Sequence, residues 1–294
     1  MRIAITGATG RLGGLIVDAL RARGDEVTIL SRSAEKGDVQ WDPVAGPAPA
    51  EVLAGRDAVV HLAGEDIAQR WSDEALNRIR ESRELGTRNL VAGLRAADPK
   101  PKALISASAV GYYGNRHDPI DEDTEPGTDV LAQVCIAWER EAQRAEELGL
   151  RVVRVRTGVV LDRHGGALEK MLLPFRLGVG GPVAGGRQPM PWIHVADVVG
   201  IYLKAIDDER YSGAVNATAP HPVTNKQFSK ALGRALKRPA IAPVPAFAIR
   251  ILYGGMAKLV VDGQRALPRR ALELGYQFRH PDLDEALQSA LRET

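Results

Sequence analysis

The stretch Ile-Ala-Ile-Thr-Gly-Ala-Thr-Gly-Arg-Leu-Gly at residues 3–13 ends an apolar run with three glycines, Gly7, Gly10 and Gly13. The amphipathic segment at residues 15–20 follows it, so the order predicts a strand, a tight turn and a helix. Gly7 would permit the turn, Gly10 would let the backbone approach a pyrophosphate, and Gly13 would let the helix pack closely on the strand. The phosphates would then lie at a helix N-terminus, where free amide groups and the helix dipole favour negative charge. Because the spacing is GxxGxxG rather than GxGxxG, a glycine-rich turn without a ligand is the alternative.

The bulk composition is that of an ordinary globular chain of 294 residues, 45% hydrophobic and 26% charged. This length suffices for one large α/β domain or for a domain with a smaller lobe. A net charge of +2 gives no reason to expect a nucleic acid or an acidic membrane as a partner. The single cysteine, Cys135, excludes an intramolecular disulfide and fits a reducing compartment. Because there is no secretory signal pattern and no run of about 18 apolar residues, we predict a cytoplasmic protein without a membrane span.

Apolar runs alternate with helical patterns over the first half of the chain, which predicts a doubly wound α/β fold with a parallel sheet and crossover helices. The predicted strands are Arg2–Thr6, Glu26–Ser31, Val39–Trp41, Ala58–Ala63, Ala103–Ser106 and Arg151–Arg156. The predicted helices cover residues 14–23, 72–96, 131–148, 195–206 and, from a cap at Thr224, 225–236. Glycine-rich segments follow residue 161, so we expect a smaller C-terminal lobe folded against the ligand-binding edge of the sheet. The apolar segment 245–261 is predicted to be mostly buried.

Arg32 bears on which nicotinamide cofactor such a fold would bind. An NAD-specific fold carries an acidic residue at the end of the second strand, where it accepts hydrogen bonds from the ribose 2′-hydroxyl. This chain has Arg32 at that place, between Ser31 and Ser33. A guanidinium can pair with a 2′-phosphate in a bidentate fork, and Arg11 in the glycine loop could add a second positive charge. The sequence therefore predicts NADP(H) rather than NAD(H), with a solvated arginine at a strand end as the alternative.

Four phrases resemble the extended short-chain dehydrogenases/reductases, the group of NAD-dependent epimerases and dehydratases. They are the glycine loop at 6–13, His-Leu-Ala-Gly at 61–64, Ser-Ala-Ser-Ala-Val-Gly-Tyr-Tyr-Gly at 106–114 and Trp-Ile-His-Val-Ala-Asp-Val at 192–198. The resemblance implies a Rossmann-like doubly wound parallel sheet with a smaller C-terminal substrate lobe.

This resemblance also implies a domain division and a set of cofactor contacts. The NADP-binding domain would comprise residues 1–160 plus about 192–220, and the substrate lobe residues 161–191 and 221–294. The cofactor contacts would come from the glycine loop, the ends of the second, fourth and fifth strands, and one helix: Gly7, Thr9, Gly10, Arg11, Leu12, Gly13, Ser31, Arg32, Leu62, Ala63, Gly64, Arg83 and Ser106.

A narrower resemblance is to an atypical subgroup called epimerase family proteins, which carry a C-terminal domain of unknown function. The phrases that carry it cover nearly the whole chain: Ala-Gly-Glu-Asp-Ile at 63–67, Arg-Trp at 70–71, Ile-Arg-Glu-Ser-Arg at 79–83, Met-Leu-Leu-Pro-Phe-Arg-Leu-Gly at 171–178, Gln-Pro-Met-Pro-Trp-Ile-His at 188–194 and Leu-Pro-Arg-Arg-Ala-Leu-Glu-Leu-Gly-Tyr at 267–276. Gly255 departs from the subgroup pattern, which has a glutamate there, so no role is assigned to this position.

The chemistry of the family depends on a tyrosine and a lysine four residues later on one helix. The lysine ammonium lowers the pKa of the tyrosine, so that the phenolate can exchange a proton while hydride moves. None of the six tyrosines of this chain has a lysine four residues later. On the expected helix the two places are filled by Leu131 and Cys135. The resemblance therefore implies the cofactor site of the family without its usual acid–base pair.

Ser108 and Tyr113 are the residues that we expect to act on a substrate. Ser108 matches best the substrate-orienting serine of the family, with Ser106 as the alternative, and a hydroxyl capping the strand end is the competing explanation. Tyr113 or Tyr112 could donate a proton, since a phenol with a pKa of about 10 is an acid at neutral pH. Aromatic packing over the substrate is the favoured interpretation of this tyrosine pair.

The other polar candidates have competing structural explanations. Arg83 ends the Ile-Arg-Glu-Ser-Arg phrase and could contact a cofactor phosphate, or lie as a charge on the helix surface. Cys135 lies on an apolar helix face and is interpreted as a core residue rather than a nucleophile. His194 and Asp197 lie one helical turn apart, and a structural role is favoured over an acid–base couple. The histidines lack the spacing of metal ligands, so no metal site is predicted.

Two functions fit these features. The first is an NADP(H)-dependent oxidoreductase or epimerase that acts on a small carbonyl or sugar-like substrate. The second is a non-catalytic NADP(H)-sensing regulator that acts through a protein partner, because a fold alone does not determine function. The first is favoured by the complete cofactor frame, although loss of a general acid–base group typically costs about 10²–10⁴-fold in rate. The sequence leaves the substrate open, and the protein could be a monomer or a homodimer.

Overall fold

The computed structural model describes residues 1–33, 35 and 37–292. Its strands are β1 (Arg2–Thr6), β2 (Glu26–Ser31), β3 (Val39–Gln40), β4 (Ala58–His61), β5 (Ala103–Ala109), β6 (Arg116–Ile120), β7 (Arg151–Thr157), β8 (Val159–Leu161), β9 (Pro189–Met190), β10 (Trp192–His194), β11 (Gly213–Ala217), β12 (Val223–Thr224) and β13 (Gln264–Ala266). Its α-helices are α1 (Arg11–Ala22), α2 (Ala50–Leu53), α3 (Asp73–Ala96), α4 (Val130–Gln143), α5 (Gly166–Arg176), α6 (Val195–Asp207), α7 (Asn225–Leu236), α8 (Ala246–Tyr253), α9 (Lys258–Val261), α10 (Arg269–Glu273) and α11 (Leu283–Arg292).

Seven of the strands form one sheet in the order β11-β7-β5-β4-β1-β2-β3. β1 pairs in parallel with β2 on one side and with β4 on the other, with Ile3 opposite Val27 and Ala58. The chain therefore winds outwards from β1 in both directions, and the topological switch point lies between β1 and β4. The predicted doubly wound α/β sheet is confirmed. Ligands of such sheets bind beyond the carboxyl ends of the strands at the switch point.

Helices cover both faces of this sheet. The side chains of α1 and α6 form one buried core with the sheet, and those of α2, α3 and α4 form another on the opposite face. In β1, Ile3 and Ile5 belong to the first core and Ala4 to the second. This explains why the strand is a continuous apolar run, as expected for a parallel strand buried on both sides.

Local sequence signals set several element boundaries. β1 and β2 have the predicted bounds. α3 begins after Ser72, whose hydroxyl accepts a hydrogen bond from the Ala75 amide. α7 begins after Thr224, which forms a reciprocal capping box with Gln227. These helix starts were predictable because the capping residues lie within a few positions of the helix they cap.

Other boundaries differ from the prediction. α1 already begins at Arg11, because Gly10 with its extended backbone takes the N-cap position. β5 continues to Ala109 instead of ending three residues earlier, because its last three residues keep pairing in parallel with β7. α4 ends at Gln143, and the predicted remainder of this helix is a turn and a 3₁₀ segment at Glu146–Leu148.

A third core supports the smaller lobe. It joins side chains of β8, α5, α7 and α11, among them Leu161, Phe228 and Leu287. Ala271 and Tyr276, which belong to the predicted lobe by sequence position, instead pack in the core formed with α1 and α6. The end of the chain therefore contacts the sheet domain as well as the lobe, and the predicted domain division stays a prediction.

The segment 245–261 differs from its predicted burial. Phe247 is 65% exposed and Ile251 is 71% exposed, whereas Met256 and Ala257 are buried. The hydrophobic side chains of Phe247 and Ile251 lie on the outer surface of α8, so the segment is not mostly buried. Apolar composition does not indicate which face of a helix another element covers.

Candidate functional site

The glycine loop lies at the switch point, where β1 turns into α1. Gly7 has a positive φ of 73°, and a Cβ atom at this position would lie 2.6 Å from the carbonyl carbon of Leu62. A Cβ atom on Gly13 would collide with the carbonyl oxygen of Gly7. Only glycine therefore fits at these two positions, which bring the end of β1, the start of α1 and the chain after β4 into contact.

His61 connects the ends of β1 and β4 below this loop. Its Nδ1 atom lies 2.8 Å from Thr6 Oγ1, and its Nε2 atom lies 3.1 Å from Thr87 Oγ1 on α3. Thr6 Oγ1 also accepts a hydrogen bond from the Ala63 amide at 3.3 Å. Burial lowers the pKa of His61 to about 4, so the ring is neutral at pH 7. The network fixes residues 61–63 against the glycine loop.

Arg11 and Arg32 occupy different environments at the edge of the crevice. Arg11 Nε donates to the carboxylate of Asp162 at 2.6 Å and Arg11 Nη2 at 3.3 Å, so this side chain ties the glycine loop to the segment after β8. Arg32 follows the end of β2 and is exposed. The preceding Ser31 hydroxyl accepts the Ser33 amide at 3.2 Å, which shapes a turn around Arg32. Both arginines are exposed, and they differ in that Arg11 is paired with the carboxylate of Asp162.

A buried ion pair between Arg156 on β7 and Glu139 on α4 lies beside the end of β5. Arg156 Nε and Nη2 donate to the two carboxylate oxygens of Glu139 at 2.8 and 2.9 Å. Ser108, 4% exposed, donates its hydroxyl to Glu139 Oε1 at 2.6 Å. Burial alone would lower the pKa of Arg156, but the hydrogen bonds to Glu139 and its charge outweigh burial and raise it. The guanidinium is therefore permanently charged and fully paired.

The predicted residue Tyr113 belongs to the same network. Its hydroxyl donates to Asn216 Oδ1 at 2.7 Å and accepts from Arg156 Nη1 at 2.8 Å. The side chain is 0% exposed, and burial raises the pKa of the phenol. The ring of Tyr112 packs on the same guanidinium, 3.5 Å from Arg156 Cζ to the ring centroid. The site thus joins Ser108 and Tyr113, but through internal hydrogen bonds, and a catalytic role for either residue stays a prediction.

Helix α4 carries Leu131 and Cys135, the two residues predicted to fill the tyrosine and lysine positions of the family. Both are close to Gly111, where a Cβ atom would lie 3.6 Å from Leu131 Cβ and 3.8 Å from Cys135 Sγ. Cys135 is buried, and burial raises the pKa of its thiol to about 12. A protonated buried thiol is a poor nucleophile, in keeping with the interpretation of Cys135 as a core residue.

Arg83 reaches from α3 to the wall of the crevice. Its Nη1 atom donates to the carbonyl oxygens of Glu65 at 3.0 Å and Ile79 at 3.1 Å. Its Cζ atom lies 5.0 Å from the ring centroid of Trp138 on α4, and a Cβ atom on Gly64 would lie 3.3 Å from Cζ. Burial lowers the pKa of the guanidinium. Arg83 is therefore not a charge on the helix surface.

His194 and Asp197 connect the start of α6 to the end of the chain. His194 Nδ1 accepts the Ala196 amide at 3.1 Å, and its ring lies 3.8 Å from the ring of His280. The carboxylate of Asp197 accepts the amides of Arg279 at 2.8 Å and His280 at 3.0 Å. These contacts are those of a structural joint between the lobe and the sheet.

Sequence reasoning did not identify Glu139, Arg156 or Asn216. Glu139 follows Cys135 by one helical turn, so its place on a buried face was the available signal. Among the described residues, no group of three or more His, Cys, Asp and Glu side chains could hold a metal ion. No described helix has the length and apolarity that a bilayer crossing requires.

Comparisons with known proteins agree with this geometry. The NAD dependent epimerase/dehydratase family matches residues 3–217, and a domain of unknown function (DUF1731) matches residues 244–290. The human epimerase family protein SDR39U1 is 38% identical over 294 residues, covering 98% of this chain and 99% of the human protein. The Bacillus subtilis epimerase family protein YfhF is 38% identical over 299 residues, covering 99% of this chain and 98% of that protein.

Solved structures show the same likeness. A crystal structure of human SDR39U1 (isoform 2) with NADPH superimposes with a TM-score of 0.91 at 37% identity, over 100% of both chains. A nucleoside-diphosphate sugar epimerase from Corynebacterium glutamicum superimposes with a TM-score of 0.81 at 35% identity, over 99% of this chain and 58% of the other. With a doubly wound sheet, a glycine loop at its switch point and a family match over most of its length, the chain belongs to the NAD dependent epimerase/dehydratase family.

Proposed function

We propose that this chain binds NADP(H) beyond the carboxyl ends of β1 and β4 and acts as an oxidoreductase or epimerase on a small carbonyl or sugar-like substrate. One observation carries the cofactor part: Gly7 and Gly13 leave no room for a side chain where the N-terminus of α1 opens into the crevice. Backbone amides and the helix dipole at such a terminus favour a phosphate group. Membership in the family supports this assignment.

Arg32 supports NADP(H) over NAD(H). It lies exposed at the end of β2, and among the described residues it forms no ion pair. A 2′-phosphate would give its guanidinium a bidentate partner, and the human relative was crystallised with NADPH. We give Arg11 a smaller part, because Asp162 already accepts two of its hydrogen bonds. The proposed cofactor contacts are those of the sequence prediction: Gly7, Thr9, Gly10, Arg11, Leu12, Gly13, Ser31, Arg32, Leu62, Ala63, Gly64, Arg83 and Ser106.

The proposed reaction transfers a hydride and a proton, and the two would come from different sources. NADP(H), when bound, supplies or accepts the hydride. The chain has no Tyr-x-x-x-Lys pair, so we propose that protons exchange with water in the crevice rather than with a tuned phenol. Ser108 and Tyr113 stay the proposed residues of the reacting end. Their hydrogen bonds to Glu139, Asn216 and Arg156 favour a supporting role over direct proton transfer.

A cofactor titration tests this proposal. Cofactor-free protein is titrated with NADPH and NADH, and energy transfer from tryptophan to the nicotinamide is followed by fluorescence. We expect NADPH to bind at least about tenfold more tightly than NADH, a difference of about 1.4 kcal/mol. Arg32→Ala should remove most of that preference and leave NADH binding within about threefold of the unchanged protein.

Arg21→Ala is the matched control, because Arg21 is an exposed arginine in the last turn of α1, at the end away from the glycine loop. Loss of the NADPH preference in both variants would point to a general charge effect instead of a contact with Arg32. If neither cofactor binds, the cofactor part of the proposal is wrong, and the glycine loop is only a structural turn.

We also propose that the protein works in the cytoplasm on a small molecule, as a monomer or homodimer, without nucleic acid or membrane partners. The net charge of +2 and the single cysteine support this. No feature of the described residues favours the alternative of a non-catalytic sensor over the enzyme proposal.

A further inference from the structure

The smaller lobe carries the most exposed hydrophobic side chains of the described chain. Six large hydrophobic residues are 60–83% exposed, and all of them lie between residues 173 and 251: Leu173, Leu177, Val179, Ile241, Phe247 and Ile251. Other exposed ones, such as Val44 at 43% and Val130 at 49%, lie elsewhere in the chain. Single exposed hydrophobic residues are ordinary, but a group of them marks an interaction site. We call these six residues the apolar lobe face.

Two stretches of chain lie side by side in this face, one after α5 and one after α7. They are joined at one end by a hydrogen bond of 3.2 Å from Arg238 Nε to the carbonyl oxygen of Arg176. At the other end a parallel bridge connects Val183 with Val244. The members of the face in these stretches lie between the two joints, so they form one surface instead of separate exposed positions.

The backbone of the second stretch does not offer an edge for another strand. Pro239, Pro243 and Pro245 are exposed along it and have no amide hydrogen to donate. Prolines at such positions prevent pairing with a further strand. Ala240, between them, packs on the third core. A partner would therefore contact the outward side chains of this stretch and not its backbone.

The two ends of the face carry opposite charges. Arg176 and Lys237 are exposed at the end where α5 and α7 finish. At the other end, just after α8, Gly254 forms a parallel bridge with Trp71, and the exposed Asp73 follows two residues later. Among the described residues, none of these three charged side chains forms an ion pair. Each is therefore available to a partner of opposite charge.

We propose that the apolar lobe face binds the same face of a second copy of this chain, which makes the protein a two-fold symmetric homodimer joined through its smaller lobes. Six side chains of this exposure present on the order of 600 Å² of apolar surface, most of the roughly 800 Å² that each partner of a stable interface buries. None of the proposed cofactor contacts belongs to the face, so this inference goes beyond the proposed function and does not depend on it.

Charges of both signs favour a second copy as the occupant. When two copies pack with their faces antiparallel, the basic end of each meets the acidic end of the other, and both contacts are attractive. An acidic lipid surface would attract Arg176 and Lys237 but repel Asp73. A partner that satisfies both ends needs the opposite order of charges, which the same face supplies when it is turned around.

Sedimentation velocity of the full-length protein tests this inference over about 1–100 µM. We expect a concentration-dependent shift to a species of twice the 31.7 kDa of one chain. Ile241→Asp and Phe247→Asp should each weaken dimerisation at least about tenfold, because the interface would remove the new carboxylate from water. Val44→Asp is the matched control, since Val44 is also exposed but lies outside the face, and it should dimerise like the unchanged protein.

Two further measurements show that the variants are intact. Both side chains are exposed in the single chain, so the free energy of unfolding in urea should change by less than about 0.5 kcal/mol. NADPH affinity should stay within about threefold of the unchanged protein. If NADPH binds to none of these proteins but the dimer forms and is weakened by the two variants, the proposed function is wrong and this inference stands.

Four results would overturn the inference. The first is a protein that stays monomeric over the whole range, and the second is a dimer that neither Ile241→Asp nor Phe247→Asp weakens, which would place the interface elsewhere. The third is equal weakening by Val44→Asp, which would indicate a general effect of charge. The fourth is a monomer that sediments with phosphatidylglycerol vesicles, because the face would then bind a lipid surface.

Discussion

Two arginines contact neighbouring side chains of helix α4, Arg156 that of Glu139 and Arg83 that of Trp138, and their charges are compensated differently. Arg156 is held by both carboxylate oxygens of Glu139 and by the hydroxyl of Tyr113. Arg83 rests on backbone carbonyls and the face of Trp138. The pKa of Arg156 is raised by its partners, and that of Arg83 is lowered by burial. A paired buried charge stabilises the framework, whereas an unpaired one is available to a ligand.

This difference shows where the family chemistry has changed. The family resemblance predicts that Cys135 takes the position of the missing lysine, and its thiol has a pKa raised by burial to about 12. Two positive charges act on this thiol, those of Arg83 on the neighbouring helix α3 and of Arg156 on β7. The crevice therefore keeps a fixed cation without keeping the tyrosine that such a cation would activate. Binding of an anion fits this arrangement better than activation of a phenol does.

The largest expected loss of stability comes from breaking the ion pair between Arg156 and Glu139. Glu139→Gln leaves Arg156 buried without a counter-charge, and breaking such a pair typically costs about 3–5 kcal/mol in the free energy of unfolding. Urea unfolding at pH 7 measures the loss. Glu84→Gln is the control, because the arginines on α3 and α4 with which Glu84 pairs are exposed, and this substitution should cost about 0–1 kcal/mol. A loss below about 1 kcal/mol for Glu139→Gln would remove the basis of the comparison.

An intermediate loss of stability is expected from removing the Tyr113 hydroxyl, which is hydrogen-bonded to Arg156 of this ion pair. Tyr113→Phe leaves Asn216 Oδ1 without its donor and removes one acceptor of Arg156 Nη1, which should lower the free energy of unfolding by about 1–2 kcal/mol. NADPH affinity should remain within about threefold. Tyr112→Phe is the matched control, since it keeps the ring on Arg156 and should leave stability within about 0.5 kcal/mol.

The opposite result would support a role of Tyr113 in the proposed reaction. If Tyr113→Phe leaves the unfolding free energy unchanged but alters the binding of NADPH or of an anionic probe, then its hydroxyl faces the ligand. The framework role argued from its hydrogen bonds would then be wrong.

Most of the fold could be predicted because its signals are local. The apolar run and glycines of residues 3–13 specify β1, the turn and α1, and capping residues such as Ser72 and Thr224 mark helix starts. Each of these signals lies within a few residues of the structure it determines. Two helix boundaries differed from the prediction, the start of α1 at Arg11 and the end of α4. Each depends on the backbone conformation of the adjoining residues, which the hydrophobic pattern does not specify.

The site was less predictable because its contacts are remote in sequence. Tyr113 and Asn216 are 103 positions apart, and no local pattern connects them. Glu139 and Arg156 are charged, so composition assigns them to the surface, although both are buried. Arg83 was identified as a candidate from its phrase. That its charge lacks a carboxylate partner emerged only when α3, α4 and the chain after β4 were placed together.

The smallest expected effect on stability comes from replacing Arg83, which has no carboxylate partner among the described residues. Arg83→Met removes two hydrogen bonds to carbonyl oxygens, each worth about 1 kcal/mol, but it also removes a buried charge whose desolvation opposes folding. These contributions have opposite signs, so the free energy of unfolding should change by less than about 1 kcal/mol. Urea unfolding of Arg83→Met and Glu139→Gln in the same buffer compares the free energies of unfolding of the two variants directly. A loss of 3 kcal/mol or more in Arg83→Met would mean that the chain itself satisfies this cation, and Arg83 would then belong to the framework like Arg156. A protein that is as stable without Arg83 but binds NADPH more weakly would show that the charge is kept for the proposed cofactor.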